Sequence, residues 1–200
     1  NGAYLGYCED SFSPSDFDLT PHLKSGRNRL AVRVFKWTGG SWFEDQDFFR
    51  FSGIFRDVSL LSVPRNHIFD FYVKSELDQA YRNAKVSLQV QLRRLSSSDA
   101  APAVSAALYD SKFSKVGDFK ADGDIKDGKT ALSLNLPSAK LWSAEDPYLY
   151  TLVITAGEDV RTCKVGVRSV ERKGNTVLFN GKKIKFKGVN RHEHSPVNGR

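Results

Sequence analysis

Lys85-Val86-Ser87-Leu88-Gln89-Val90-Gln91-Leu92-Arg93 alternates apolar and polar residues without a break. Successive side chains of an extended chain point to opposite faces, so this stretch reads as a strand with one face buried and the other wet. A helix would scatter the same residues around its circumference. Outward from it, the pattern stays β in both directions. Arg29-Leu30-Ala31-Val32-Arg33-Val34-Phe35 nearly repeats the alternation. Further strands are expected over 58–63, 68–74, 104–109, 131–136, 148–156 and 161–167. Thr176-Val177-Leu178-Phe179, then Asn180-Gly181, then a strand over 182–189 reads as a hairpin, because Asn-Gly accommodates the two positive φ angles of a type I′ turn. One short helical turn is expected over 14–23, capped by Ser13 with Pro14 at its first position. No window of a dozen residues has 3.6-residue periodicity, so the expected fold class is all-β.

Two breaks divide the chain. Ser62-Val63-Pro64-Arg65-Asn66 and Arg172-Lys173-Gly174-Asn175 interrupt strand-rich stretches with turn-forming residues. Between them lie roughly seven short strands, which suits an immunoglobulin-like sandwich without the Cys…Trp…Cys signature of antibody domains. Residues 1–63 read as part of another β-sandwich, too short to close one alone. Stretches 96–102 and 119–129 read as loops. Asn1-Gly2 reads as a hairpin turn lacking its first strand, and the chain contains no methionine, so it is expected to be an internal piece of a longer protein.

Composition narrows the classes. Of 200 residues, 40% are hydrophobic and 26% charged, ordinary for a globular chain. No run reaches the roughly 18 apolar residues of a membrane helix, and no membrane partner is expected. Two cysteines, Cys8 and Cys163, cannot build a disulfide framework, and no structural zinc spacing occurs. The net charge of +7 sits largely in residues 171–200, which carry eight Lys/Arg and two Asp/Glu. A nucleic-acid contact is one reading of that excess. The preferred one places Lys182, Lys183, Lys185 and Lys187 along the solvated side of a strand, since they fall largely on alternate positions, as a half-buried strand requires.

Two stretches could carry chemistry. The first runs from Trp42-Phe43-Glu44-Asp45-Gln46-Asp47 to Gly53-Ile54-Phe55-Arg56-Asp57 and mixes carboxylates with aromatics. Aromatic faces cover the C–H faces of sugar rings while carboxylates accept hydroxyl hydrogen bonds, and the same carboxylates suit a hard cation. A loop with core phenylalanines and solvated acids is the competing reading, with Gly53 expected to permit a close backbone approach. The second is Asn190-Arg191-His192-Glu193-His194. On a strand, His192 and His194 share a face and could bind a metal or a charged substrate, or serve as hydrogen-bonded structural histidines. Leu141-Trp142-Ser143-Ala144-Glu145-Asp146-Pro147-Tyr148 reads as a turn entering a strand, with Trp142 and Tyr148 as core anchors.

At these residues the sequence resembles the β-galactosidases of glycoside hydrolase family 2. The likeness is carried in order by Gly6-Tyr7, Glu9-Asp10-Ser11, Asn28-Arg29-Leu30-Ala31-Val32, Glu44-Asp45-Gln46-Asp47, Ser52-Gly53-Ile54-Phe55-Arg56-Asp57, Leu141-Trp142-Ser143-Ala144-Glu145, Val165-Gly166 with Arg168, Asn180-Gly181-Lys182 and Gly188-Val189-Asn190-Arg191-His192-Glu193-His194. The resemblance implies that residues 1–63 are the second part of a jelly-roll sugar-binding domain and residues 64–171 the immunoglobulin-like domain. Residues 172–200 would be the lead-in hairpin and first strand of a catalytic (β/α)₈ (TIM) barrel. It implies that Asp47 binds a sodium ion and the galactose, and that His192 helps stabilise the transition state. It also implies a magnesium ion, a β-galactoside substrate, a homo-oligomer and a bacterial enzyme of the cytoplasm or periplasm. The two reactive glutamates would lie beyond Arg200, leaving this piece inactive alone. The alternative is a non-catalytic carbohydrate-binding β-sandwich module.

Overall fold

A computed structural model of the chain describes residues 1–9, 13–43, 53–94, 101–190 and 197. It divides the chain into two compact units: Asn1–Leu60 with Gly188–Arg200, and Leu61–Lys187.

Among the described residues, the second unit holds the strands. In chain order they are β1 (Asn66–Leu77), β2 (Ala84–Arg94), β3 (Val104–Tyr109), β4 (Lys115–Asp118), β5 (Lys120–Ala121), β6 (Lys129–Leu136), β7 (Tyr150–Ala156), β8 (Asp159–Val165), β9 (Val170–Lys173), β10 (Thr176–Phe179) and β11 (Lys182–Lys183). One four-stranded sheet has the order β1-β2-β6-β5, a second has β4-β3-β7-β8, and a three-stranded sheet has β11-β10-β9. The pairings are antiparallel throughout. The two four-stranded sheets are the A-B-E-D and C′-C-F-G arrangement of an immunoglobulin-like sandwich.

The alternation in β2 does what its sequence predicts. Ala84, Val86, Leu88, Val90 and Leu92 are buried, while the residues between them face outward. They meet Leu108, Leu152 and Ile154 of the opposite sheet and Leu132 of their own in one core. Each such leucine removed from water contributes about 1.5–3 kcal/mol. Asp159 links the two sheets. Its carboxylate, 6% exposed, accepts the Ile68 amide N–H at 2.8 Å and pairs with Arg161 Nε at 3.0 Å. That satisfies an amide at the start of β1 that would otherwise be stranded.

The loop after β6 is pinned residue by residue. The amides of Ser138 and Ala139 donate to Asn83 Oδ1 and Arg82 O, and that of Lys140 to the Tyr150 hydroxyl at 2.8 Å. A tyrosine at the start of strand F, here β7, bonding back to upstream backbone is the tyrosine corner of such folds.

In the first unit, Asn1 is tied to the 22–29 segment. Its Nδ2 donates to Asn28 Oδ1 and His22 O, and its Oδ1 accepts the Arg29 amide. Asn28 in turn ties the Lys24–Gly26 bend.

Several expectations need correction. The strands expected over 29–35 and 58–63 are not ladders, and Leu30, Val32 and Val58 are 58%, 60% and 68% exposed. The alternation marks a face but cannot supply a partner strand. The helical turn over 14–23 reduces to one 3-10 turn, Thr20–His22, whose cap position is Leu19 with no side-chain bond. Asp18 Oδ1 takes the Thr20 amide instead, so Ser13 and Pro14 do not start a helix. The strand over 182–189 shortens to β11, and Phe186 is 76% exposed, so the four lysines do not alternate with buried partners. The loop over 119–129 contains β5 and a buried Phe119. The Asn180-Gly181 hairpin stands as read, with φ of 49° and 75° and Phe179 paired to Lys182.

Candidate functional site

Asp47 and His192, the two residues singled out for sodium, sugar and transition-state contacts, lie outside the described residues, as do Glu44, Asp45, Arg191, Glu193 and His194. Their described flanks are as follows. Thr38 and Ser41 close a tight bend: the Thr38 amide donates to Ser41 Oγ at 2.9 Å, and a 3-10 turn over Gly40–Trp42 follows. That turn presents Trp42 and Phe43, 86% and 89% exposed. Gly53 resumes the chain at φ 76° with no described atom within 4 Å of where a Cβ would stand. Its left-handed backbone favours glycine. Arg56 then lies 5.8 Å from the centroid of the Phe55 ring. Cation–aromatic pairs recur nearby, with Arg33 over Phe35 at 4.6 Å and Lys36 over Trp37 at 5.9 Å. This is the mixture of exposed rings and fixed charges that can cover a sugar and bond its hydroxyls. Asn190, the described neighbour of the His192 segment, is exposed.

Among the described residues no three His, Cys, Asp or Glu side chains gather to hold a metal ion. The sodium reading therefore rests on Asp47, and no described residue is assigned to magnesium. His67 is accounted for structurally: buried, with Nδ1 3.0 Å from Pro64 O.

The described titration shifts have structural causes. Burial pushes the Tyr150 phenol and the Cys163 thiol up. Backbone hydrogen bonds, that of Arg82 foremost, hold the Asp78 carboxyl below its usual range. A hydrogen bond to Glu171 raises the Tyr81 phenol. The last two groups border a cleft of about 470 Å³ lined by Leu77, Asp78, Gln79, Tyr81, Glu171 and Lys173. Nothing in the sequence singles out Tyr81, and Tyr150 is expected only as part of the strand over 148–156. A tyrosine two residues before the apolar run of β7 is the signal that would have marked Tyr150 as a corner. Trp142 proves half-buried and packs against Phe179 at 5.7 Å, at the edge of the core rather than within it.

Comparison with known proteins places these features. The model described as Glycosyl hydrolases family 2, sugar binding domain, matches residues 1–64. Glycosyl hydrolases family 2 matches residues 66–168, and its TIM barrel domain matches residues 170–200. A β-galactosidase of Halalkalibacterium halodurans is 42% identical over the whole chain, which spans 20% of that relative. One from Clostridium acetobutylicum is 43% identical, again over the whole chain and 22% of the relative. The chain thus spans about a fifth of the length of these curated relatives. Among solved structures, a β-glucuronidase from Ruminococcus gnavus in complex with D-glucuronic acid superposes with a TM-score of 0.60 at 28% identity, over 78% of this chain and 25% of that one. With a family model matched over more than half its length, the chain belongs to glycosyl hydrolases family 2.

Proposed function

We propose that the chain is part of a retaining β-galactosidase and contributes accessory contacts to its sugar pocket. Asp47 holds a sodium ion and a galactose hydroxyl; His192 stabilises the charge that develops on the sugar in the transition state. The observation that carries the reading is identity of 42% to β-galactosidases along the whole chain, against 28% to the β-glucuronidase structure. A carboxylate among aromatic residues supports the role of Asp47, since a hard cation takes oxygen ligands and can share them with a hydroxyl. Retaining hydrolysis needs two carboxyl groups about 5–5.5 Å apart. We assign both to the four fifths of the relatives' length that this chain does not span, with the barrel that needs eight strands to close. Residues 1–63, 64–171 and 172–200 then serve as jelly-roll remainder, immunoglobulin-like domain and barrel lead-in.

The test is Asp47→Asn in the whole enzyme, with an aryl β-galactoside as substrate. Losing a charge-assisted contact should raise KM roughly tenfold or more and flatten the response to sodium. Unchanged kinetics across sodium concentrations would remove Asp47 from the site. Galactoside binding by the whole protein without hydrolysis would favour a non-catalytic module.

A further inference from the structure

Three sequence blocks that carry the family likeness have no role in the reading above: Leu141-Trp142-Ser143, Gly166 with Arg168, and Asn180-Gly181-Lys182. In the folded chain they meet at one place, where the three-stranded sheet joins the sandwich. Asn180 occupies the first turn position of the β10–β11 hairpin at φ 49°. Its Oδ1 accepts the Ser169 amide N–H at 2.9 Å, and its Nδ2 donates to Trp142 O at 3.0 Å. Its own amide donates to Ser169 O at 3.0 Å. The Trp142 amide donates to Val167 O at 2.9 Å, so the loop before β7 and the segment after β8 are tied to each other and to the hairpin. The Trp142 ring lies beside Phe179, with the Arg168 guanidinium 4.9 Å from its centroid. Gly166 admits the ring: a Cβ there would stand 3.1 Å from three Trp142 atoms. On the hairpin's other turn residue, Gly181, a Cβ would run into the Tyr81 ring of the β1–β2 turn. Tyr81 is itself held at φ 54°, with its amide bonded to Asp78 O.

An Asn-Gly turn asks only for residues that tolerate positive φ, and Asp-Gly or Gly-Gly would serve the turn equally. The hairpin therefore does not need the side-chain amide of Asn180, yet its donor reaches the Trp142 loop of the sandwich and its acceptor holds Ser169, the link from β8 into β9. We propose that Trp142, Gly166, Arg168 and Asn180, with Tyr81 over Gly181, form a joint that locks the three-stranded sheet onto the sandwich. Asn180 is the residue that closes it. The joint stands whichever glycoside the enzyme takes.

Native-state amide exchange on the 200-residue chain tests this. Asn180→Gly keeps the turn and deletes both side-chain bonds. It should speed exchange at Ser169 and across Thr176–Lys183 roughly tenfold to a hundredfold, the range for two ordinary hydrogen bonds, while β2 and β7 amides keep their rates. Asn180→Asp keeps the turn and the acceptor for Ser169, so Ser169 should lose less protection than in the glycine variant. Unchanged exchange at Ser169 and the hairpin would overturn the proposal. So would equal acceleration in β2 and β7, or loss of the whole fold in either variant, because a joint predicts a local effect.

Discussion

Removing one oxygen atom should loosen the loop that carries Trp142. Tyr150 is 5% exposed, and its hydroxyl accepts the amide N–H of Lys140, ten residues upstream. Tyr150→Phe preserves the ring, its burial and its edge-to-face contact with Tyr148, whose ring centre is 5.0 Å away. What goes is the acceptor. Were the Lys140 amide sealed from water, the loss would approach about 3 kcal/mol, the cost of a stranded donor. Lys140 is exposed, so water can replace the phenol. The expected cost is then an ordinary net hydrogen bond, about 1–1.5 kcal/mol. For a sandwich of roughly 100 residues that lowers Tm by about 4–12 °C. Urea unfolding should show a lower midpoint with an unchanged slope, because the area exposed on unfolding does not change. Tyr148→Phe is the control. Its hydroxyl accepts the Ser111 amide at 3.1 Å in an exposed turn, and its loss should cost under about 0.5 kcal/mol. If Tyr150→Phe matches the parent, or if Tyr148→Phe costs as much, the corner does not hold the loop and the reasoning fails.

Two further outcomes follow from buried or turn-bound carboxylates. The Asp78 carboxyl accepts the Arg82 amide at 2.9 Å and Asn83 Nδ2 at 2.7 Å, and its folded pKa lies below the unfolded value. Its contribution is therefore present above about pH 4 and is lost as pH falls through the lower folded value. Protection of the Arg82 amide, relative to its intrinsic exchange rate, should fall in that acid range, and Asp78→Asn should abolish the dependence. Asp159→Ala strands the buried Ile68 amide and unpairs Arg161, so it should cost about 2–3 kcal/mol in urea unfolding, with Asp159→Asn costing clearly less because one oxygen still accepts.

The sandwich was legible because its strands carry their own pairing information. Val86-Ser87-Leu88-Gln89-Val90 alternates, and its neighbours in the sheet, Phe71 to Ser75 and Thr130 to Leu134, belong to stretches with the same period. The 104–109 strand came out to the residue because of its period-two burial, and the Asn180-Gly181 turn because it has one backbone solution, although the strand after it is shorter than expected. Arg29-Leu30-Ala31-Val32-Arg33 has the period as well, but among the described residues no ladder pairs with it. Periodicity specifies a face, and only a neighbour makes it a strand. β4 and β5 were missed because Lys115-Val116-Gly117-Asp118 and Lys120-Ala121 are too short and polar to show a period. Gly117 is there so that Leu134 can pack against the backbone, a contact no local pattern announces.

The candidate site was legible in a different way. A perturbed titration next to a cleft is ordinarily the physical mark of an active site. The cleft beside Asp78, Tyr81 and Glu171 has that mark, and its cause is the turn that holds Tyr81 and the hydrogen bond that Glu171 supplies. Those groups already have structural work: Asp78 holds the turn through backbone amides, and Glu171 bonds the Tyr81 phenol. The chemistry-bearing types that lack such an explanation fall instead on 42–57 and 190–194, where motif rather than geometry carries the argument. The two kinds of residue should therefore respond oppositely. Changing the Asp78 turn should alter stability and leave the sodium response untouched, whereas Asp47→Asn should alter the sodium response with the fold intact.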